Sequence, residues 1–495
     1  MIKVNPGKLI FIVSISLLYM LLAQKLFAAD EPSLPLGLGG AVESSGDDDQ
    51  PSLPTGLGPP KISEPENDSG PSLPAGLISV ESRNKIEKEE EAASWPDITG
   101  FIEIRSGFRL QEDLYEKDPS IGEIRLQLEI ERSWRKILLE LTGDIYYDLV
   151  VNDRSVNLEK GKGFLDVREF SFSFSAFEYM DIKAGRQILT WGTGDLVFIN
   201  DLFPKDWQSF LTGRDTEYLK APSDAIKLSI FTDLVNIDLV YTPRFDSDRF
   251  ITGEKLSYWN GFRIAGSDSI IGPIKPDNWI EDDELAVRLS KNLKGNEFAF
   301  YGYRGYWKSP GGFDPVSSKH IFPELNVYGL SIRGQVGKGI GNIESGYYES
   351  SNDSAGSNPF INNSQFRFLA GYEQDLPRLA SDLTVGLQYY VEHMMDHDEY
   401  LLSLPTGSNA ADENRHLFTL RITKLCMNQN LTFSLFTYYS PSDEDLYVRP
   451  DISYKVSDNF KTELGANLFS GEYPHTFFGQ FQDNTNIFVA VRYSF

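Results

Sequence analysis

The sequence is poor in cysteine, in histidine and in long apolar stretches. Its 495 residues include one cysteine and five histidines, so no internal disulfide can form. Lys and Arg number 46 against 72 Asp and Glu, which gives a formal net charge of −26. Nucleic-acid binding needs an excess of basic residues to neutralise phosphates, so no nucleic-acid partner is expected. A mean hydropathy of −0.30 argues against a bundle of membrane helices.

The one long apolar run, residues 9–22, lies near the start of the chain. Lys3 and Lys8 precede it, and Ala28 and Ala29 follow it. A basic start, a short apolar core and small residues are typical of a secretory signal peptide, and the run is short for a spanning helix. We therefore expect residues 1–29 to be a signal peptide, with an uncleaved anchor as the alternative.

Residues 30–96 are rich in Pro, Gly, Ser and acids, a composition typical of disorder. The pattern Pro-Ser-Leu-Pro-x-Gly-Leu occurs at 32–38, 51–57 and 71–77, and a charged spacer follows. Paired prolines favour an extended backbone, and three copies on one tether raise the effective concentration for a partner. We predict a periplasmic tail that binds a periplasmic partner; a duplicated linker is the alternative. The expected contact residues are Leu34, Leu38, Leu53, Leu57, Leu73 and Leu77.

From Asp97 to Phe495 the sequence divides into segments that alternate apolar and polar residues. Their length, about 10 to 14 residues, suits tilted membrane strands. We count about 18 segments, with 16 as the alternative. Their centres fall near Ile104, Leu126, Leu141, Phe172, Ala184, Leu228, Leu239, Val287, Phe300, Leu330, Ser345, Phe368, Leu387, Leu420, Phe433, Val448, Leu464 and Val491.

Loop lengths alternate along the same region. Connections after even segments are short, whereas 193–220, 244–281, 308–323 and 394–412, which follow odd segments, are long. Barrels with both chain ends in the periplasm have short inner turns and long outer loops in this order. Closure is required because hydrocarbon offers no partner to an open sheet edge. The sequence predicts an all-β fold, an antiparallel up-and-down transmembrane barrel over residues 97–495.

The chain ends in Phe495, preceded by apolar and aromatic residues at alternate positions. This ending resembles the C-terminal signal recognised by the barrel-assembly machinery of Gram-negative bacteria. With the signal peptide, the resemblance implies a protein of the cell outer membrane, surrounded by outer-membrane lipid, with its tail in the periplasm.

The polar face of each strand is expected to line the lumen, because a charged side chain in lipid costs about 2–4 kcal/mol near the midplane. Acids concentrate in the early strands and bases in the later ones, which predicts a transverse field suited to small polar or ionic solutes. A lumen filled by ion pairs is the alternative. The acids are Glu103, Glu123, Glu129, Glu131, Glu140 and Asp144, and the bases include Lys227, Arg367, Lys455, Lys461 and Arg492.

Gly185-Arg186-Gln187 ends the fifth predicted strand, and Trp191-Gly192 and a long loop follow. This stretch resembles diffusion porins and, with its Trp-Gly pair, uncharacterised proteobacterial outer-membrane proteins of the porin superfamily. The resemblance implies that loop 193–220 folds inward and constricts the barrel, and that the protein is a homotrimer. The expected constriction and pore residues are Arg186, Trp191, Asp195, Asp201, Asp206, Arg214, Asp215, Lys220, Arg288, Arg333, Arg421 and Arg449.

Arg186 is the difficult member of that set. It shares strand parity with Ile182 and Ala184, which are assigned to lipid. An inward position therefore requires a bulge at Gly185, unless Arg186 lies above the membrane.

No catalytic motif is recognisable. His393 and His397 lie four apart at a predicted strand end, a spacing that aligns metal ligands on a helix and not on a strand. We predict no enzyme activity, no cofactor and no metal site. The leading function is a porin-like channel for small polar or ionic solutes. The alternatives are a partner-driven device that moves a hydrophobic or lipid-like substrate, docked through the tail, and a structural or adhesive barrel with a blocked lumen.

Overall fold

Eighteen strands form one closed antiparallel sheet in the computed structural model, which describes residues 97–152 and 154–495. The first strand, β1 (Asp97–Arg109), closes the barrel by pairing with the last, β22 (Asn486–Ser494), with Phe101 opposite Ser494. The predicted barrel and the count of 18 are confirmed, and each predicted centre lies within a strand. The predicted signal peptide and the predicted tail with its three repeats lie outside the described residues.

The other barrel strands follow one another around the sheet in chain order. They are β2 (Pro119–Trp134), β3 (Ile137–Asp148), β4 (Leu165–Phe177), β5 (Met180–Ile188), β6 (Pro222–Phe231), β7 (Asn236–Thr242), β10 (Glu284–Leu293), β11 (Asn296–Tyr306), β14 (Glu324–Val336), β15 (Gly339–Ser350), β16 (Gln365–Asp375), β17 (Leu383–Met394), β18 (Asn414–Cys426), β19 (Leu431–Ser440), β20 (Asp445–Lys455) and β21 (Phe460–Gly471).

The long loops contain short elements that the sequence did not predict. Two hairpins pair β8 (Tyr258–Trp259) with β9 (Ile264–Ala265) and β12 (Gly312–Asp314) with β13 (Lys319–Ile321). The helices are α1 (Trp207–Thr212) and α2 (His397–Ser403), with 3₁₀ turns at Thr216–Leu219 and Gly479–Asn484. Helices this short form through tertiary contacts, so their sequences carry little periodic pattern. Within the described part of the chain, no helix is long and apolar enough to cross a membrane.

The two faces of the sheet differ as the alternation predicted. On β2 the side chains of Glu123, Arg125 and Gln127 are buried inside, whereas Ile124 between them is 54% exposed. Phe300 on β11 and Leu387 on β17 are 61% and 59% exposed on the same outer side. An apolar exterior around a closed sheet is stable in hydrocarbon and not in water, so this is the surface of a membrane-spanning barrel.

Candidate functional site in the barrel lumen

The connection between β5 and β6, residues 189–221, folds into the lumen; we call it the inner loop. Its apolar side chains Val197, Ile199, Phe210 and Leu219 are buried. They belong to one apolar core with inward-facing side chains of the wall, which include Trp307, Val327, Tyr348, Leu369, Tyr390, Leu417, Phe436, Tyr438, Tyr447 and Phe469. The burial of these aromatic and aliphatic groups holds the loop inside the barrel.

Glu344 on β15 binds the first part of the inner loop. Its carboxylate accepts hydrogen bonds from the backbone N–H groups of Thr193 at 2.9 Å, Gly194 at 3.1 Å and Asn200 at 2.7 Å. The Thr193 hydroxyl donates to the same carboxylate at 3.1 Å. Glu344 is only 1% exposed, and charge-assisted hydrogen bonds of this kind offset its desolvation. It is a fixed anchor for a turn of the loop.

Asp195 and its neighbour Leu196 are held by three strands further around the wall. Arg421 on β18 pairs with both its carboxylate oxygens, with Nη2 at 2.7 Å from Oδ1. Gln388 on β17 accepts from the backbone N–H of Asp195 at 2.7 Å and donates to its carbonyl at 2.8 Å. The Tyr438 hydroxyl on β19 donates to the next carbonyl, that of Leu196, at 2.7 Å.

Two wall arginines hold the carbonyl end of α1. Arg449 on β20 donates to the carbonyls of Phe210 at 3.4 Å and Arg214 at 2.7 Å, and Arg105 on β1 donates to that of Gly213 at 2.7 Å. The last carbonyls of a helix lack intrahelical partners and carry partial negative charge, so guanidinium groups suit this end.

A buried network of alternating charges lies between the inner loop and β2. Arg214 from the loop pairs with Glu123 at 3.0 Å through Nε, and Glu123 also pairs with Arg125 at 2.6 Å. Arg125 pairs in turn with Asp144 and lies 4.4 Å from the centre of the Tyr218 ring. Each charge has a close partner of opposite sign, which is the condition for stable burial.

The end of the inner loop contacts β22 and β4. Arg492 on β22 lies 3.4 Å from Asp215 and 3.3 Å from Glu217. Arg168 on β4 donates to the carbonyls of Glu217 at 3.1 Å and Lys220 at 3.3 Å. The inner loop is thus bound to strands on both sides of the lumen.

The predicted contrast between an acidic and a basic wall is wrong. Arg105 and Arg125 lie two positions from Glu103 and Glu123, so all four side chains face inward on β1 and β2. Arg105 pairs with Glu103 at 3.0 Å. Three of the six early acids, Glu103, Glu123 and Asp144, are therefore paired with arginines of β1 and β2. Strand parity alone places both arginines inside.

The remaining predicted residues of the inner loop have structural contacts. Trp191 packs edge-on against Phe203, with ring centres 4.9 Å apart. Asp201 pairs with Lys205 at 3.0 Å, and Asp206 caps α1 by accepting from the Ser209 N–H at 2.7 Å. Lys220 is partly buried, and its backbone pairs with that of Lys205.

Arg186 lies on the outer side of the sheet. The pairing of β5 with β4 and β6 runs without a shift at Gly185, so Arg186 keeps the parity of Ala184. Its guanidinium lies 3.2 Å from Asp224 and donates to the carbonyl of Leu158 at 2.8 Å. It holds the loop between β3 and β4, whereas its neighbour Gln187 is buried inside.

Arg288 and Arg333 lie apart from the inner loop, toward the short-turn end of β10 and β14. Arg288 is 2.7 Å from Glu297 and 3.5 Å from Asp238; Asp238 is buried, whereas Arg288 and Glu297 are partly exposed. Lys183 and Glu140, 2.7 Å apart, form a similar pair on β5 and β3. This half of the lumen carries partly exposed charge pairs, in contrast to the apolar core around the inner loop.

Residues 243–283, the outer cover, contact several loops at the opposite mouth. The Ser257 hydroxyl donates to Asp113 at 2.6 Å, and Asn484 donates to the Ser257 carbonyl at 3.1 Å. Ser267 donates to the carbonyl of Tyr115, beside Glu116. Burial and, to a smaller extent, the neighbouring Asp113 raise the pKa of Glu116 to about 7, although Arg109 lowers it. We therefore expect the docking of the cover to depend on pH.

Solved structures with similar barrels have very different sequences. Pseudomonas aeruginosa OccK3 (OpdO) is 11% identical with a TM-score of 0.46, over 81% of this chain and 96% of its own. Acinetobacter baumannii OccAB4 is 10% identical with a TM-score of 0.49, over 81% and 98%. Salmonella typhi OmpF in complex with daunomycin is 8% identical with a TM-score of 0.39, over 81% and 97%. Likenesses this remote do not carry a function from one protein to another.

No protein-family model matches the chain, and no curated protein matches it.

Proposed function

We propose that the protein is an outer-membrane channel for small polar or ionic solutes in which the inner loop sets the narrowest section. One observation carries this proposal: wall side chains such as Glu344, Arg421 and Arg449 are committed to holding the loop inside the lumen. A barrel that served only as a scaffold or an adhesin would not need to bind the inner loop to so many of its strands.

The class of solute follows from the half of the lumen that carries these partly exposed charge pairs. Partly exposed pairs such as Arg288–Glu297 and Lys183–Glu140 present both signs of charge to water. Rings of mixed charge favour solutes that are polar or ionic over apolar ones. Assembly as a homotrimer in the outer membrane is part of the proposal.

Planar-bilayer conductance of the purified barrel tests the proposal. Replacing residues 193–220 by a short Gly-Ser linker is expected to increase an ohmic conductance that the unaltered barrel already shows. Replacing the exposed residues 405–412 by the same linker is the control and leaves the conductance unchanged. Absence of conductance in all three proteins contradicts the channel.

A second candidate rests on the three tail repeats. In this alternative the repeats dock a periplasmic partner, and the barrel exports or receives a hydrophobic or lipid-like substrate. Deletion of residues 30–80 then changes both the proteins that co-purify and the transport. If the deletion changes neither, the docking role is rejected and the channel is the remaining candidate function.

A further inference from the structure

A groove of about 590 Å³ opens on the outer, lipid-facing wall of strands β16 to β19. Four outward side chains lie directly opposite one another along its upper side: Ala370, Tyr389, Phe418 and Tyr439. The next row below includes Tyr372 and Leu420. Ala370 is small, and the rings beside it stand out from the wall, so the surface is indented between the two rows. The lining is almost wholly apolar.

A polar cluster lies on the same outward face, nearer the outer ends of β17 and β18. His416 Nδ1 is 2.8 Å from the Tyr389 hydroxyl, and the two rings stack at 6.0 Å. One step further out, His393 Nδ1 is 3.0 Å from Asn414 Oδ1. Polar side chains facing hydrocarbon are costly, and amphipathic rings favour the membrane interface, so this cluster marks the level of the lipid head groups.

An apolar indentation in a wall that faces hydrocarbon must be filled by hydrocarbon or by protein, because water gains no hydrogen bonds there. The groove lies deeper in the membrane than the polar cluster. An amphipathic lipid has the same arrangement, with its acyl chain in the hydrocarbon and its head group at the interface. We propose that the groove binds one acyl chain of an outer-membrane lipid, whose head group is hydrogen-bonded by His393, Asn414 and His416. The proposal rests on the outer-membrane location proposed above and not on conduction.

A photo-crosslinking residue at position 437, on the side of the groove opposite Ala370, tests the occupant in intact outer membranes. The matched control is position 226, since Ile226 also faces outward, on β6. Adducts with the mass of a lipid are expected to be severalfold more abundant at 437. Equal adducts at the two positions mean ordinary lipid contact and overturn the site. A crosslink between two chains at 437 shows a second copy instead, and also overturns it.

Filling the groove gives a second measurement. Ala370→Phe is expected to abolish the enrichment at 437 and the lipid retained by the purified protein, whereas Ala184→Phe, on the outward face of β5, retains it. His416→Phe keeps the ring stack and removes the hydrogen bond, so retention falls about fivefold. Unchanged retention in Ala370→Phe overturns the site. Bilayer conductance of Ala370→Phe is expected to match that of the unaltered barrel, which separates this proposal from the channel.

Discussion

Arg421 and Asp195 form a two-point ion pair inside the lumen, with Nη2 of the arginine 2.7 Å from Oδ1 of the aspartate. Arg421 belongs to a barrel strand and Asp195 to the inner loop, so the pair joins a rigid wall to a segment without regular structure. The two side chains are 27% and 40% exposed, and the pair therefore contributes less than a buried one.

Arg421→Gln is expected to loosen residues 193–200 without unfolding the barrel. Loss of a partly exposed pair costs about 1 kcal/mol, which is about a fivefold increase in the population of the detached segment. Faster hydrogen exchange in residues 193–200 and noisier single-channel current are the expected results. Arg378→Gln, in the exposed turn between β16 and β17, is the control. Unchanged exchange in Arg421→Gln shows that the pair does not hold the loop.

Glu344→Gln is expected to destabilise the protein more than a surface change. A neutral amide keeps one acceptor oxygen, so at least one buried N–H among those of Thr193, Gly194 and Asn200 loses its partner. Each unsatisfied group costs about 1–3 kcal/mol. The unfolding temperature of Glu344→Gln should be lower than that of the unaltered protein. Glu373→Gln, at an exposed position on β16, should leave the unfolding temperature unchanged. Equal transitions in both variants contradict the anchoring role.

The strands could be predicted from the sequence because their alternation is local. On β2 the polarity of a residue and of the residue two positions away predicts whether the side chain points into the lumen or outward. The contacts of the inner loop could not be predicted in this way. Glu344 and Asn200 are 144 positions apart, and nothing in either neighbourhood specifies the pairing. Such contacts appear only when the barrel brings β15 to the place where the loop turns.

Gly329 on β14 allows the inner loop to approach the wall. A Cβ here would overlap the side-chain oxygen of Asn200 and lie 2.9 Å from the carbonyl of Ser345. Gly329→Ala is therefore expected to displace Asn200 and to destabilise the barrel by about 1–3 kcal/mol. Gly302→Ala is the matched control, because a Cβ there has no described neighbour within 4 Å. Thermal or denaturant unfolding compares the two, and equal stability would show that the loop can shift without cost.

The outer cover is expected to open as the pH rises. Burial raises the pKa of Glu116 to about 7. When the cover is docked, this carboxyl group therefore binds a proton more tightly than a free carboxyl group, whose pKa is 4.5. The stabilising contribution is therefore complete below about pH 4.5 and is lost as the pH rises through about 7. Asp246, whose pKa burial raises to about 6, lies near the start of the cover and is expected to change docking in the same direction.

Hydrogen exchange of residues 263–269, which adjoin Glu116, measures this opening. At pH 8 exchange is expected to be faster than at pH 5 after correction for the intrinsic rate. Glu116→Gln cannot ionise, so its cover stays docked at pH 8 and most of the difference disappears from this segment. Glu112→Gln, at an exposed position of the same loop, keeps the difference. If Glu116→Gln opens with pH as the unaltered protein does, another group controls the cover.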